Sequence, residues 1–326
     1  MLVNLFILII VIAIAMFFGR LTLRAVKAQR LWIKILGGLG AGLLTLIFAG
    51  ISFAGVRGFS AGYFPEVEPV PEFTVERTPE QIARGEYIVN IACIGCHSAM
   101  GENGLPSREH PLTGGWNIAK DEGFGFIGSM VTENLTPGGK LAEYSDGEIF
   151  RALRSSVDKK GRALGFMPFL PYNQLSDDDL KAIIAYLRTL PAQPSSGSTG
   201  DSINFLGVVF SGAGLIPESE PITGVITAPP VGVSLEYGKY VATFGECRGC
   251  HGADMTGSPA TSVSPAIINP RPFISTVSLE EFIQTMQTGV RPNGAAFSPA
   301  MPWQNASKMT GKDLAALYLY LTAPVK

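Results

Sequence analysis

The chain has 326 residues, room for two domains and a membrane anchor. Its composition is 46% hydrophobic with a mean hydropathy of +0.26, high for a wholly soluble protein. Five of its 25 basic residues and none of its 27 acidic ones precede residue 57, so the remainder carries 20 positive charges against 27 negative, a net of −7. That balance argues against nucleic acid as a partner and favours one with a basic docking face.

Residues Leu2 to Phe18 are almost wholly apolar, interrupted only by Asn4, and a second apolar stretch runs from Leu31 to Val56 with one charge, Lys34. Between them lie Arg20, Arg24, Lys27 and Arg30, and no acidic residue occurs before Glu66. A secretory signal would open with positive charge, which Met1 to Asn4 lacks. A transmembrane helical hairpin over residues 1–56 fits better. The positive-inside rule puts its basic connector in the cytoplasm and everything after Val56 outside. Gly38 and Gly42 form a G-x-x-x-G in the second span, which permits close packing against the first span or a partner subunit.

Gly58 to Phe73, with three prolines, reads as an extended tether, giving residues 57–77 a linking role. Thr78 can cap a helix with Pro79 in its first position and Gln81 completing a capping box. That helix leads into Cys93-Ile-Gly-Cys96-His97, and the pattern recurs as Cys247-Arg-Gly-Cys250-His251. C-x-x-C-H is the attachment pattern of c-type haem. Two thiols at this spacing reach the two vinyl groups on one porphyrin edge, and the next histidine is held beneath the iron as proximal ligand. A zinc knuckle, a redox dithiol or a disulfide would use the cysteines but leave both histidines as coincidence. Covalent haem is attached on the outer side of a bacterial inner membrane, so motif and charge pattern give one topology.

After the first motif comes a glycine-rich stretch expected to wrap the haem as loop. Ser145 to Glu148 is a capping box opening an amphipathic helix, and Ser176 to Asp179 caps another that stops at Pro191. Between those helices lies a loop with Met167-Pro168. Residues 193–233 read as a linker, with an apolar island over 203–216 that is too short to span and can pack between domains or touch lipid. The same order then repeats: Glu236 to Thr243 matches Ala83 to Asn90, Ser278 to Glu281 matches Ser145 to Glu148, and Met301-Pro302 matches Met167-Pro168. From each methionine to the leucine opening the last helix, Leu180 or Leu314, is 13 residues; from haem histidine to methionine is 70 residues in one unit and 50 in the other. Each unit, 78–192 and 234–326, reads as a small helical domain built on its own haem.

Met167 and Met301 each precede proline in a loop, at equivalent places, and are the candidate distal ligands. Met100 and Met255 lie too near their own histidines to reach the opposite haem face. His110, in Glu109-His-Pro111, reads as a surface or propionate-side residue.

These residues resemble the cytochrome c subunit family of membrane-bound bacterial alcohol, aldehyde and gluconate dehydrogenases. The features that carry the likeness are Leu112-Thr-Gly-Gly115, Thr132-Glu-Asn-Leu-Thr-Pro137, Gly147 to Arg154, Phe166-Met-Pro168 and Asp178 to Arg188. The resemblance implies an all-α protein with two tandem class I cytochrome c domains, two covalent haem c groups on Cys93, Cys96, Cys247 and Cys250, and iron ligands His97 with Met167 and His251 with Met301. It implies electron transfer between a membrane respiratory or dehydrogenase complex and a periplasmic or oxidase acceptor, with no catalytic residues of its own. A dihaem peroxidase would need an open or exchangeable iron site, which the two methionines are placed to close; a haem-based sensor would use the group as a switch.

Overall fold

A computed structural model describes residues 1–101, 105–107, 109–218, 222–259, 266–298 and 301–325. Two antiparallel helices come first. Helix α1 (Leu2–Val26) is followed by a π-helical turn (Ile33–Gly37) that runs directly into α2 (Gly38–Tyr63), and both are long and apolar enough to cross a membrane. The small residues of α2 face α1: a side chain at Gly38 would meet Val26 and one at Gly42 would meet Thr22, each at 3.7 Å, while Thr22 and Thr45 share a hydroxyl hydrogen bond of 3.2 Å. The glycine motif therefore serves the first span.

The second helix outruns the expected end at Val56 and continues to Tyr63. Gly58 and Gly62 weaken an isolated helix, but Gly58 is buried here beneath another helix, and no proline interrupts before Pro65. The expected tether is correspondingly shorter, and its end is not free. Val75 is buried, its N–H donates to Asp146 Oδ2 at 2.9 Å, and Phe73 meets Phe150 edge-on at 5.6 Å.

The first unit comprises α3 (Pro79–Ala92), α4 (Ile94–His97), α5 (Ile118–Asp121), strand β1 (Gly128–Val131), α6 (Asp146–Ser155) and α7 (Asp177–Leu187). The expected linker then supplies strand β2 (Gly200–Ile203) and helix α8 (Phe205–Gly212). The second unit holds α9 (Leu235–Phe244), α10 (Cys247–His251), α11 (Arg271–Ile274), α12 (Leu279–Thr288), α13 (Trp303–Ala306) and α14 (Gly311–Thr322). The architecture is mostly helical as expected, with one antiparallel ribbon pairing Gly128 with Ile203 and Val131 with Gly200.

The linker is thus part of the first unit rather than a spacer. Asn134 Nδ2 donates to Gln193 O at 2.9 Å, Ser196 N to Thr113 O at 3.2 Å, and Asp177 N to Ile226 O at 2.9 Å. Serine and glycine content made this segment look loose, yet its backbone groups bond to the loop around the first histidine.

Capping chemistry matches the sequence at α6 and α12, where Ser145 with Glu148 and Ser278 with Glu281 form complete capping boxes. At α3 only half of the expected box forms. Thr78 accepts from Gln81 N at 3.2 Å, whereas Gln81 Oε1 is buried without a partner.

The two units repeat one packing rule. Helix α3 crosses α7 at Gly85, where a Cβ would stand 1.9 Å from the carbonyl oxygen of Ala182. Helix α9 crosses α14 at Gly238, where a Cβ would stand 2.1 Å from that of Ala316. Only glycine lets the backbones approach so closely.

The two units, each expected as a domain on its own haem, are joined through their cores. Ile88, Leu180 and Ile183 of the first share a continuous buried cluster with Val241, Phe244, Leu314 and Leu317 of the second. A reciprocal polar brace reinforces it. Tyr240 Oη donates to Asp179 Oδ2 at 2.6 Å and accepts from Ser176 N at 2.9 Å. In mirror fashion Tyr87 Oη donates to Asp313 Oδ2 and accepts from Thr310 N at 3.0 Å. Tyr87 and Tyr240 hold equivalent positions before their haem motifs, and Ser176 and Thr310 are equivalent N-caps. Each unit therefore inserts its tyrosine at the N-terminus of the other's closing helix.

Candidate functional site

The expected haem-binding residues stand at equivalent places in the two units. Helix α3 ends at Ala92, and one further turn brings His97 N onto Cys93 O at 2.9 Å, setting the histidine below the cysteine pair. The His97 carbonyl is received by Gly114 N at 2.7 Å and that of His251 by Gly257 N at 2.9 Å. Both glycines are left-handed, with φ of 67° and 71°. A Cβ at either would lie within 2.5 Å of a neighbouring backbone oxygen, Thr132 O or Ile267 O.

The imidazoles are oriented by backbone. His97 Nδ1 bonds Glu133 O at 2.8 Å and His251 Nδ1 bonds Ile268 O at 2.7 Å. A carbonyl only accepts, so the proton sits on Nδ1 and the Nε2 lone pair is left for a metal, the arrangement by which a protein fixes a ligating imidazole. Burial lowers the His97 pKa, outweighing the pull of the Glu133 carbonyl, so the ring is held neutral.

The four cysteines are also poorly set for redox exchange. Burial pushes up the thiols of Cys93 and Cys250, and those of Cys96 and Cys247 to about 12. Disulfide exchange requires a thiolate, which this environment disfavours. Among the described residues no three His, Cys, Asp or Glu side chains converge as a metal ion would need. The residues present fit a covalently attached haem.

The motifs are brought together by the pairing of the units. A Cβ on Gly95, inside the first motif, would meet Asn305 Nδ2 at 2.5 Å, just past Met301-Pro302. A Cβ on Gly249, inside the second, would meet Leu170 Cδ2 at 3.6 Å and Pro171 Cδ at 3.8 Å, just past Met167-Pro168. Each attachment turn thus rests on the methionine loop of the other unit. Arg248 Nη1 adds a bond of 2.6 Å to Gln174 Oε1 across the same seam. Met167 and Met301 are both half-buried against the shared core.

Glu246 sits at this junction, in left-handed conformation with φ of 61°. Its Oε1 is buried without a partner, and burial raises its carboxyl to about 8. After burial, its charge adds to the upward shift of all four thiols, Cys93, Cys96, Cys247 and Cys250, so both motifs lie within its field. His110 is exposed, its carbonyl accepting from Thr113 Oγ1 at 2.9 Å.

Sequence reasoning missed the backbone frame of the site. Leu112 and Met255 are buried and left-handed, with φ of 60° and 62°, two residues before the glycines that receive the histidine carbonyls. The signal was present as Leu112-Thr-Gly and Met255-Thr-Gly. The histidine-holding carbonyls of Glu133 and Ile268 likewise precede a repeated N-x-x-P, Asn134 to Pro137 and Asn269 to Pro272. In each copy the asparagine Oδ1 accepts from the N–H two residues on, at 2.8 Å in the first and 3.0 Å in the second.

Both units are cytochrome c domains. Residues 80–187 match the family model described as cytochrome c oxidase, cbb3-type, subunit III, and residues 235–323 match that of cytochrome c. Such domains carry covalently bound haem c and support electron transfer.

Among known proteins, the chain is similar to the cytochrome c subunit of alcohol dehydrogenase (quinone) from Gluconacetobacter polyoxogenes, 33% identical over 136 residues, covering 38% of this chain and 29% of the relative. It is also similar to the gluconate 2-dehydrogenase cytochrome c subunit of Pantoea cypripedii, 28% identical over 181 residues, 52% of this chain and 37% of the relative. A third relative is the fructose dehydrogenase cytochrome subunit of Gluconobacter japonicus, 30% identical over 105 residues, 28% of this chain and 22% of the relative. The chain spans less than two-fifths of the length of these curated relatives.

Proposed function

We propose that this chain is a membrane-anchored dihaem electron relay, without substrate chemistry of its own. It would take electrons from a quinol-oxidising or dehydrogenase complex and pass them to a periplasmic or oxidase acceptor. The observation that carries the reading is the seating of each C-x-x-C-H turn beside the other unit's methionine loop. Haem c supplies one-electron chemistry when bound. Cys93 with Cys96, and Cys247 with Cys250, would hold one group each by thioethers. His97 and His251 would hold the irons, their rings fixed by the Glu133 and Ile268 carbonyls. Met167 and Met301 would complete the ligand sets and so would close the sites to water and peroxide.

The partner class rests on the similarity to dehydrogenase cytochrome subunits. Location at the inner membrane, with both haem units on the outer side, rests on the two apolar helices and the basic connector between them.

The test is spectroscopic. The purified protein should carry two covalent haems per chain, and the reduced form should fail to bind carbon monoxide rapidly at either. The oxidised form should show the weak near-infrared band of methionine–iron bonding. Met167→Ala and Met301→Ala should each open one site and lower that haem's potential, because a thioether ligand raises it. Rapid carbon monoxide binding with peroxide turnover by the unaltered protein would overturn the relay and favour a peroxidase.

A further inference from the structure

Helix α8 lies outside both haem cradles, and the relay reading leaves its placement unused. It crosses the outer part of α2 through reciprocal notches. A Cβ on Gly58 would stand 1.8 Å from Val208 O, and a Cβ on Gly212 would stand 1.8 Å from Ala54 O. Gly55 meanwhile receives Leu8 of α1 and the ring of Phe205. At such spacing α8 cannot slide or roll on the hairpin, so it is fixed to the spans themselves.

Its other side is tied to the first haem unit. Strand β2 pairs with β1 and leads into α8, Asn204 Nδ2 donates to Phe126 O at 2.8 Å, and Phe126 meets Phe210 edge-on at 5.9 Å. Ile216 is buried with Ala119, Ile127 and Met130 of the first unit. What remains outside is apolar: Phe124, Phe126, Leu206 and Leu215 are 45%, 55%, 44% and 53% exposed. Neither 203–216 nor 123–127 contains a charged residue. The polar groups lie at the rim, where Arg57 pairs with Glu218 at 3.1 Å and Asn4 Nδ2 donates to Tyr63 Oη at 2.9 Å.

The level of this surface follows from helix geometry. A hydrocarbon core of about 30 Å takes about 20 helical residues. Counted from Lys34, the last basic residue of the connector, that length ends near Gly55, where α8 crosses. Tyr63 and Arg57 then fall at headgroup depth, where tyrosine and basic side chains anchor spans.

We propose that α8 with Phe124 and Phe126 forms an apolar foot seated in the lipid of the outer leaflet, holding the first haem unit down on the bilayer. The inference rests on the reading that α1 and α2 span the membrane with the haem units outside. Continuity selects lipid as the occupant: the foot is locked to the spans at the depth where the hydrocarbon ends. The first haem would therefore lie close to a donor within the membrane.

Single cysteines test this in the purified holoprotein reconstituted in phosphatidylcholine vesicles, since the four native sulfurs would be bound as thioethers. Phe126→Cys, Leu206→Cys and Leu215→Cys are compared with Val225→Cys on the exposed linker and Leu46→Cys in mid-span, using a membrane-impermeant maleimide. Val225→Cys shares the side of the foot and so calibrates the reachable fraction. The three foot thiols should react about tenfold or more slowly than Val225→Cys, because apolar surroundings suppress the reacting thiolate. Fast foot thiols beside a protected Leu46→Cys would overturn the seat while leaving the hairpin intact. If Leu46→Cys is also fast, the spanning reading fails and the seat with it. Foot thiols slow in native membranes but fast in vesicles would assign the surface to a protein partner and overturn lipid.

Discussion

The two haem units share one plan but not one setting. Both have a glycine-notched helix crossing, a tyrosine reaching into the neighbour, a left-handed glycine beneath the histidine and a capping box on the middle helix. The first alone bonds to the hairpin, through Ala163 N to Gly62 O at 3.0 Å and through the ribbon that leads to α8. The second joins the first through the shared core and the tyrosine brace. What the units have in common is therefore the haem cradle and the seam, and what the first has in addition is its attachment to the membrane helices.

The comparison breaks most severely at the paired aspartates. Asp179 accepts two bonds from Arg84, at 2.7 and 2.8 Å, and one from Tyr240 at 2.6 Å; its counterpart Asp313 accepts only from Tyr237, at 2.8 Å, and Tyr87. Asp179→Ala leaves a largely buried guanidinium without its carboxylate and should cost about 4 kcal/mol. Asp313→Ala removes two tyrosine bonds to a carboxylate and should cost about 2 kcal/mol. Urea unfolding in detergent, followed by circular dichroism, measures both; equal losses would mean that Arg84 contributes nothing.

The helix crossings should respond alike. Gly85→Ala and Gly238→Ala each force a methyl group into a carbonyl, and each should cost about 3 kcal/mol through backbone displacement. Gly40→Ala in the second span, with no atom within 4 Å of its Cβ position, should leave the unfolding of the haem units unchanged. A large difference between Gly85 and Gly238 would show that the membrane attachment supports the first crossing.

Much of this symmetry was legible in the sequence, because haem attachment and helix capping are local chemistry. Cys93 to His97, Ser145 with Glu148 and Met167-Pro168 announce their roles within a few residues, and their second copies confirm the repeat. The seam was not legible. Tyr87 and Asp313 are 226 positions apart, and nothing near either tyrosine distinguishes a phenol buried in a neighbouring unit from one on the surface. The extension of α2 to Tyr63 was hidden for a related reason, since Gly58 reads as a breaker until α8 is laid across it. Serine and glycine between residues 193 and 202 suggested slack chain, whereas their backbone groups bond to the haem loop.

Glu246 gives an asymmetry of charge, for its counterpart in the first unit is Ala92. Its folded pKa, about 8, lies above the ordinary 4.5, so the protonated form is favoured by folding. The sign follows from linkage: the stabilisation is complete below about 4.5 and is lost as pH rises through about 8. Between roughly pH 6 and pH 8 the protein should lose on the order of 2 kcal/mol from this group. Glu246→Gln should flatten that slope in urea titrations at several pH values. A slope unchanged by the substitution would place the carboxyl in water.

The smallest effect is also the most informative about whether two haem units make one body. Tyr87→Phe and Tyr240→Phe each remove a hydroxyl that donates to an aspartate and accepts from an N-cap amide of the other unit, leaving the rings in the shared core. Each should cost about 1.5 kcal/mol, the scale of a hydrogen bond to a charged group. The rings still join the cores, so each single variant should keep one unfolding transition seen alike by circular dichroism and haem absorbance. The double variant should lose more than the sum, since each bond holds the seam in the register the other needs. Strict additivity with two separated transitions would mean that each unit stands on its own haem and that the common cluster is contact without cooperation. A single transition with a surplus loss would mean that the second unit owes its position on the first to these two hydroxyls and the core between them.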